Sequence, residues 1–352
     1  MRRLAVVVLL ALSACRGGGE PAAVLQPPQA VKDAVPEYHE SEKGRYAVTP
    51  LVTGLVHPWG LAFLPDAEML VTARPGRLRR ISPSGAVSEP ISGLPAIFVD
   101  GQAGLLDVAV SPTFATDQLV YVSFAEPTLR GNKAGTAVLR GRLQGDALLD
   151  VEVIYRQAPK LSHGTHVGSR LVFDDAGHLF ITHGDNRVAA AAAQELDKLP
   201  GKLVRIWPDG RVPDDNPFVD RGGARPEIWS YGHRNMQGAA LHPVTRQVWT
   251  TEHGPMGGDE LNIPQAGRNY GWPVITHGID YSGKPVPGST GKSAPGMEQP
   301  HHVWPVSPGL SGMAFYTGDL LPQWKGNLFL GGLASSDLIR LELDGDKVVH
   351  EE

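Results

Sequence analysis

A strand–turn–strand unit recurs five times along this chain, and that recurrence limits the fold more than any single motif does. Each unit opens near a glycine with an apolar run, meets a Pro, Asp or Gly turn, and returns as a second apolar or alternating strand. The first runs from Gly60 through Leu61-Ala62-Phe63-Leu64, turns at Pro65-Asp66 and returns at 69–72, with 78–81 following. Gly104 opens the second, which returns at 119–124. Gly168 precedes the third (169–175, then 178–182 and 203–206), and Gly238 opens the fourth (238–243, then 248–251). Gly312 opens the fifth, with 328–330 and 338–341 behind it. From Gly60 through Gly104, Gly168 and Gly238 to Gly312, the markers lie 44, 64, 70 and 74 residues apart. A four-stranded propeller blade needs roughly 40–45 residues, so the later units must carry inserted loops. The repeat predicts an all-β fold, a β-propeller whose innermost strands begin at small residues because the centre is crowded. A β-sandwich explains the alternation equally well but not the fixed order of the units. The 42 Gly and 30 Pro agree with many short strands joined by turns.

The stretch ahead of the repeats reads differently. Arg2 and Arg3 precede an apolar run, 4–12, and the small residues Ser13 and Ala14 lead to Cys15. This is the pattern of a secretory signal, too short for a stable membrane anchor. Leu12-Ser13-Ala14-Cys15 resembles a bacterial lipobox, so Cys15 is predicted to carry lipid and to tether an exported protein on the periplasmic side of the envelope. An ordinary signal ending near a cysteine is the alternative. Cys15 is the only cysteine, so the exported chain has no intramolecular disulfide. Residues 16–44 read as a flexible Gly/Pro/Ala/Glu-rich tether, and 45–352 as the propeller. Within it, 46–55 is expected as a lone leading strand that joins the last blade. That blade then lacks sequence, and the chain reads as truncated at its C-terminus. A net charge of −5 and a pI of about 6.2 leave no basic footprint for nucleic acid.

Inserted loops of a propeller gather at one mouth of its channel, and five polar sets lie there by position. They are 100–104, 162–168, 182–186, 231–237 and the long stretch 251–273. The last follows a strand, then breaks it with Gly254-Pro255 and Gly257-Gly258, since Pro lacks an N–H and Gly takes backbone angles other residues avoid. Such a break frees carbonyl oxygens beside Asp259 and Glu260, the oxygen-rich set a hard cation such as calcium takes. Alone, it reads equally as a polar hairpin loop. His166, Asp185 and Arg234 lie at ends of neighbouring inner strands. A His with an adjacent carboxylate is a general base near neutral pH, and an Arg with a cation could stabilise charge on an electron-accepting cofactor. Taken singly, His166 reads more often as a structural polar residue and Arg234 equally as a loop tie. Together these suit oxidation of an alcohol. No Gly-x-Gly-x-x-Gly joins a first strand to a helix, which argues against a nicotinamide site.

Five motifs carry a resemblance. They are Gly101-Gln102-x-Gly104-Leu105-Leu106, His166-x-Gly168-x-Arg170-Leu171-Val172, Gly184-Asp185-Asn186, Tyr231-Gly232-His233-Arg234-Asn235-x-Gln237-Gly238, and Thr251-Glu252-His253-Gly254-Pro255 continuing through Asp259-Glu260 to Asn269-Tyr270-Gly271-Trp272-Pro273. Over about residues 46–350 the chain resembles the soluble pyrroloquinoline quinone (PQQ)-dependent aldose sugar dehydrogenases, relatives of soluble quinoprotein glucose dehydrogenase. The resemblance implies a six-bladed propeller, its last blade incomplete here, binding PQQ and calcium. It implies oxidation of the C1 hydroxyl of aldoses to lactones, with an unidentified electron acceptor. His166 would take the hydroxyl proton while hydride passes to the quinone, and Asp185 would orient it. Gln102, Arg234, Asn235, Gln237 and Tyr281 would contact the cofactor, as would Gly332, Leu333 and Ala334. Gly254 and Pro255 would offer carbonyls to the cofactor's calcium, and Glu260 and Tyr270 would hold a separate calcium. Two departures stand out: Ala334 occupies a position where the family commonly has a lysine, and the family's Arg-x-Arg clamp would fall beyond Glu352. A calcium-dependent lactonase and a non-catalytic propeller that binds a glycan or protein remain the competing readings.

Overall fold

The computed structural model describes residues 27–162 and 164–352. The signal segment, the Cys15 anchor and His163 lie outside the described residues. Five antiparallel sheets follow one another in chain order as blades of a β-propeller. The first has three strands, Pro58–Phe63, Met69–Ala73 and Arg77–Ile81. Each of the other four has four, and each begins at its innermost strand: Leu105–Val110, Leu171–Phe173, Met236–Leu241 and Leu310–Phe315. These inner strands pack side by side in succession around the centre. All five marker glycines fall within or just before an inner strand, where the sequence placed them. Five blades are formed among the described residues; the sixth that the resemblance implies is not.

Apolar side chains from facing sheets fill the spaces between blades. Leu70, Leu78, Leu105, Val120 and Leu139 pack between the first and second sheets, and Val138, Leu179, Val204 and Ile228 between the second and third. Phe180, Leu203 and Met236 join the third to the fourth, and Trp249, Leu261, Leu310 and Leu330 the fourth to the fifth. Each fully buried side chain of this size contributes about 1.5–3 kcal/mol, so the interfaces between blades hold the array together. A polar pin crosses the centre as well. Arg170 donates to the buried Asp107 at 2.9 Å and to the Gln237 carbonyl at 3.1 Å, with its guanidinium 4.2 Å from the Trp59 ring. Four blades are thereby tied to one side chain.

The expected tether is not free over its described part. Gln29–Ala30 pairs with Val52–Thr53, and Glu37–Ser41 pairs with Gly44–Val48 as a hairpin. Nor does 46–55 add a strand to the last blade. The hairpin docks on it instead, with the Glu42 N–H bonded to Glu352 and Lys43 paired with Glu342 at 3.1 Å. Tyr46 meets Trp324 edge-on at 5.3 Å. The partners lie some 300 residues away, at the far end of the fold.

Candidate active site

His166 and Asp185 come from loops on either side of the third blade's first two strands. Backbone geometry brings them together. His166 has a φ of 48°, Asn186 of 52° and Arg187 of 62°, left-handed values that non-glycine residues adopt at a cost of about 1 kcal/mol or more. Gly184 lets the two loops touch, since a Cβ there would sit 1.9 Å from the His166 carbonyl oxygen. The His166 Nδ1–H donates to Asp185 Oδ1 at 2.7 Å. That bond places the ring's lone pair on Nε2, the form a general base needs. The remaining acceptor capacity of Asp185 is taken by the Arg187 N–H at 2.6 Å and, on Oδ2, by the Trp272 indole N–H at 2.8 Å. Burial pushes the imidazole below its ordinary range; the bond to Asp185 pulls it back up, and Arg234 and Arg187 lower it further. The net direction is downward, which favours the neutral imidazole, with Asp185 held against its Nδ1.

The neighbouring loops interlock with this pair. Gln102 accepts the His166 N–H at 2.8 Å, and Asn235 accepts from Gly168 N–H at 3.2 Å and Gln237 Nε2 at 3.0 Å. Arg234 is 5% exposed, donates to the His253 carbonyl at 3.0 Å, and lies 5.2 Å from the Trp272 ring. No carboxylate pairs with its guanidinium among the described residues. Its Nε and the Asn235 Nδ2 are buried without partners, an arrangement that leaves cationic and donor capacity for a bound anion.

Two cavities share the walls His253 and Gly254. The larger, about 450 Å³, is lined by Gly254, Pro255, Met256, Tyr281, Val306 and Ala334 among others. The smaller is bounded by Arg234, Glu252, Glu260, Tyr270 and Trp272. Neither the Gly254 nor the Pro255 carbonyl accepts a main-chain or side-chain hydrogen bond among the described residues. Glu252 and Glu260 are cross-strand partners and so share a face. Burial, then the Glu252 charge, pushes Glu260 up to about 8. Asn262, two residues on and on that same face, donates to both carboxylates at 3.0 Å and keeps its Oδ1 buried and unpartnered. Glu252 already accepts from His233 Nδ1, Asn262 and the Arg234 N–H at 2.6 Å, so the Glu260 carboxylate and the idle Asn262 amide oxygen are the side-chain donors that fit a cation such as calcium.

Ser230, His233 and Glu252 have the spacing of a hydrolytic triad, with Oγ–Nε2 and Nδ1–Oε1 both 2.9 Å. Ser230 and His233 are fully buried and His233 stacks on Tyr270 at 4.7 Å. No substrate carbonyl can reach that serine, and the relay serves to hold Glu252.

A family model described as Glucose / Sorbosone dehydrogenase matches residues 55–352. The chain belongs to the glucose/sorbosone dehydrogenase family. Among its relatives, the chain is similar to the Aldose sugar dehydrogenase YliI of Escherichia coli (strain K12), 51% identical over 300 residues, covering 84% of this chain and 80% of that protein. A crystal structure of a glucose dehydrogenase is 57% identical at a TM-score of 0.83, covering 85% of this chain and 87% of that one. The PQQ-bound Aldose Sugar Dehydrogenase of Streptomyces coelicolor is 28% identical, with a TM-score of 0.70 over 85% of this chain and 81% of that one.

Set against this glucose/sorbosone dehydrogenase fold, the residues singled out in the sequence divide into four groups. Gln102, His166, Asp185, Arg234, Asn235 and Gln237 form one connected network. Gly254, Pro255, Tyr281 and Ala334 line the larger cavity, and Glu260 and Tyr270 the smaller. Gly332 and Leu333 do not line the cavity; they bond to Asp337 and Gly309 beside it. The Tyr270 phenol donates to the Ile263 carbonyl and accepts from Gln265 N–H, so only its main-chain carbonyl is left for a cation. Asp259 is not a ligand. Its carboxylate accepts the N–H groups of Gly254 and Gly309 at 2.9 Å and of Leu310 at 3.1 Å. Strand alternation explains why: Asp259 and Glu260 are consecutive in Asp259–Asn262 and must face opposite sides. Sequence reasoning missed Glu252, Asn262 and Trp272 as parts of the site. Alternation was a usable signal for Asn262, but the Glu252–Glu260 pairing depends on the register between strands.

Proposed function

We propose that this chain is a PQQ-dependent sugar dehydrogenase that oxidises the C1 hydroxyl of aldoses to lactones, with calcium at the cofactor and a second calcium at Glu260. What carries this reading is the His166–Asp185 pair joined to a buried Arg234 whose carbonyl accepts the Asp185 N–H and whose guanidinium donates to the carbonyl of His253, a wall of the 450 Å³ cavity. That volume lies in the range of about 300–1,000 Å³ typical of cofactor and ligand pockets. Membership of the family, a PQQ-bound relative and a similarity to the Quinoprotein glucose dehydrogenase B of Acinetobacter calcoaceticus, 29% identical over 258 residues, support the choice of cofactor.

PQQ, once bound, supplies a quinone that accepts hydride. Arg234 and Asn235 would take its carboxylates, Gln102, Gln237 and Tyr281 would border it, and Ala334 would meet it without charge. The Gly254 and Pro255 carbonyls would hold its cation; Glu260 and the Tyr270 carbonyl would hold the other. His166 removes the hydroxyl proton on Nε2, and Asp185 keeps the ring in the productive tautomer and stabilises the imidazolium that forms. The same reading extends to a six-bladed ring and to export with lipid attachment through Cys15. Its electron acceptor is unidentified.

Reconstitution with PQQ and calcium, followed by dye reduction with glucose and other aldoses, tests the proposal. Quinone-dependent reduction is the expected result, and its absence from holoprotein shown to bind PQQ would end it. Because His166 is depressed, the acid limb of kcat/KM should fall below pH 6.5, the usual histidine value. A limb above 6.5 would contradict the base. Calcium should raise the Tm of wild-type protein after chelation but not that of Glu260→Gln, since a ligand that binds only the folded state stabilises it. Equal calcium shifts in both would remove Glu260 from the site.

A further inference from the structure

We infer that Trp272 is a positioning residue for the His166–Asp185 pair, holding the carboxylate from the side opposite the imidazole. This rests on the reading of His166 as the base. The indole N–H reaches Asp185 Oδ2 at 2.8 Å while His166 occupies Oδ1, so the carboxylate is gripped at both oxygens. Asp185 is 1% exposed and Trp272 9%, which leaves little water to replace a lost donor. The indole is itself fixed. Trp272 N–H donates to the Gly232 carbonyl at 2.8 Å, and its own carbonyl accepts from Gln194 Nε2 at 2.7 Å. Gln194 and Asn269 exchange two further bonds, at 3.0 and 2.7 Å. Ala190, Ala193 and Val286 pack on the ring. Arg234 lies over the ring face at 5.2 Å, so one side chain contacts both the base's carboxylate and the candidate anion-binding guanidinium.

The donor has a definite electrostatic consequence. An N–H bonded to Oδ2 disperses part of the charge with which Asp185 supports the imidazolium. Removing it leaves that charge concentrated on the histidine side, so His166 should protonate at higher pH and in a less restricted ring position. The other charged or titratable groups bearing on His166 are Arg234, Arg187 and His253. Phenylalanine at 272 keeps a ring face for Arg234 and leaves the Arg187 and His253 side chains unsubstituted.

Trp272→Phe keeps a ring and removes the donor. In cofactor-free protein with labelled histidine, the His166 resonance, assigned by its loss in His166→Ala, should titrate roughly one pH unit higher in W272F than in wild type. An unchanged titration overturns the inference. With PQQ and calcium bound, kcat should fall about ten- to hundredfold while the sugar KM stays within about twofold, and the acid limb should move upward with the resonance. A lower kcat with an unmoved limb would mark Trp272 as packing alone and also overturn it. If W272F does not fold, Asp185→Asn decides. Among the seven tryptophan indole N–H signals of the wild-type protein, one should move strongly in D185N, and no such movement overturns the link. The cofactor-free measurements stand whether or not His166 proves to be the base, so the two readings fail separately.

Discussion

Replacing His166 with alanine should lower sugar-dependent turnover by about 10²–10⁴-fold while PQQ binding changes by less than about threefold. The expectation comes from how little of the rest depends on the ring. His166 holds its neighbours through its main chain: its N–H bonds to Gln102 and its carbonyl accepts from the Asn186 N–H at 3.1 Å. Alanine retains both. Among the described residues the ring's one hydrogen bond goes to Asp185, which still has the Arg187 N–H and the Trp272 indole. The groups assigned to PQQ sit on other loops. Equilibrium binding of PQQ, followed by absorbance, and pre-steady-state reduction by sugar would separate the two effects. A variant that binds PQQ and still oxidises aldoses within tenfold of wild type would show that another group takes the proton. Loss of binding with intact folding would instead make His166 a cofactor contact.

The repeat was legible because it is local. A glycine, an apolar run and a turn are features of contiguous residues, and all five inner strands begin within three residues of those glycines. His166, Asp185, Arg234 and the Gly254-Pro255 break were also legible, since propeller topology gathers strand-end loops whatever the detailed register. What escaped the sequence depends on register and distance. Glu252 joins Glu260 only because Val248–Glu252 pairs with Asp259–Asn262 in one alignment of several possible. The stretch before Gly44 looked like a tether because its partners, Thr53, Glu342 and Glu352, carry no mark in the local sequence. The indole of Trp272 reaches a carboxylate 87 positions away, and nothing in Asn269-Tyr270-Gly271-Trp272-Pro273 announces it.

Asp259→Ala should cost about 3 kcal/mol of stability, because main-chain donors that lose a buried acceptor forfeit about 1–3 kcal/mol each. Three donors are involved, of which Gly254 and Leu310 are buried residues and Gly309 half-buried. They lie on two loops. Gly254 belongs to the break after the fourth blade's second strand, while Gly309 and Leu310 open the fifth blade. The carboxylate therefore joins opposite walls of the larger cavity, which Gly254 and Gly309 both line. Without it the walls can separate, and PQQ affinity should fall at least tenfold, Asp259 itself being among the residues that line this cavity. Asp259→Asn keeps the shape but turns one acceptor oxygen into a donor facing an N–H, so it should recover only part of the loss. Calcium binding at Glu260, on the other face of the strand, should persist in both variants. Urea denaturation and PQQ titration measure the first two effects, and calcium-dependent Tm the third. Stability within about 0.5 kcal/mol of wild type, or calcium binding lost in D259A but retained in E260Q, would return Asp259 to the role of ligand and undo the division of the two acids between opposite faces.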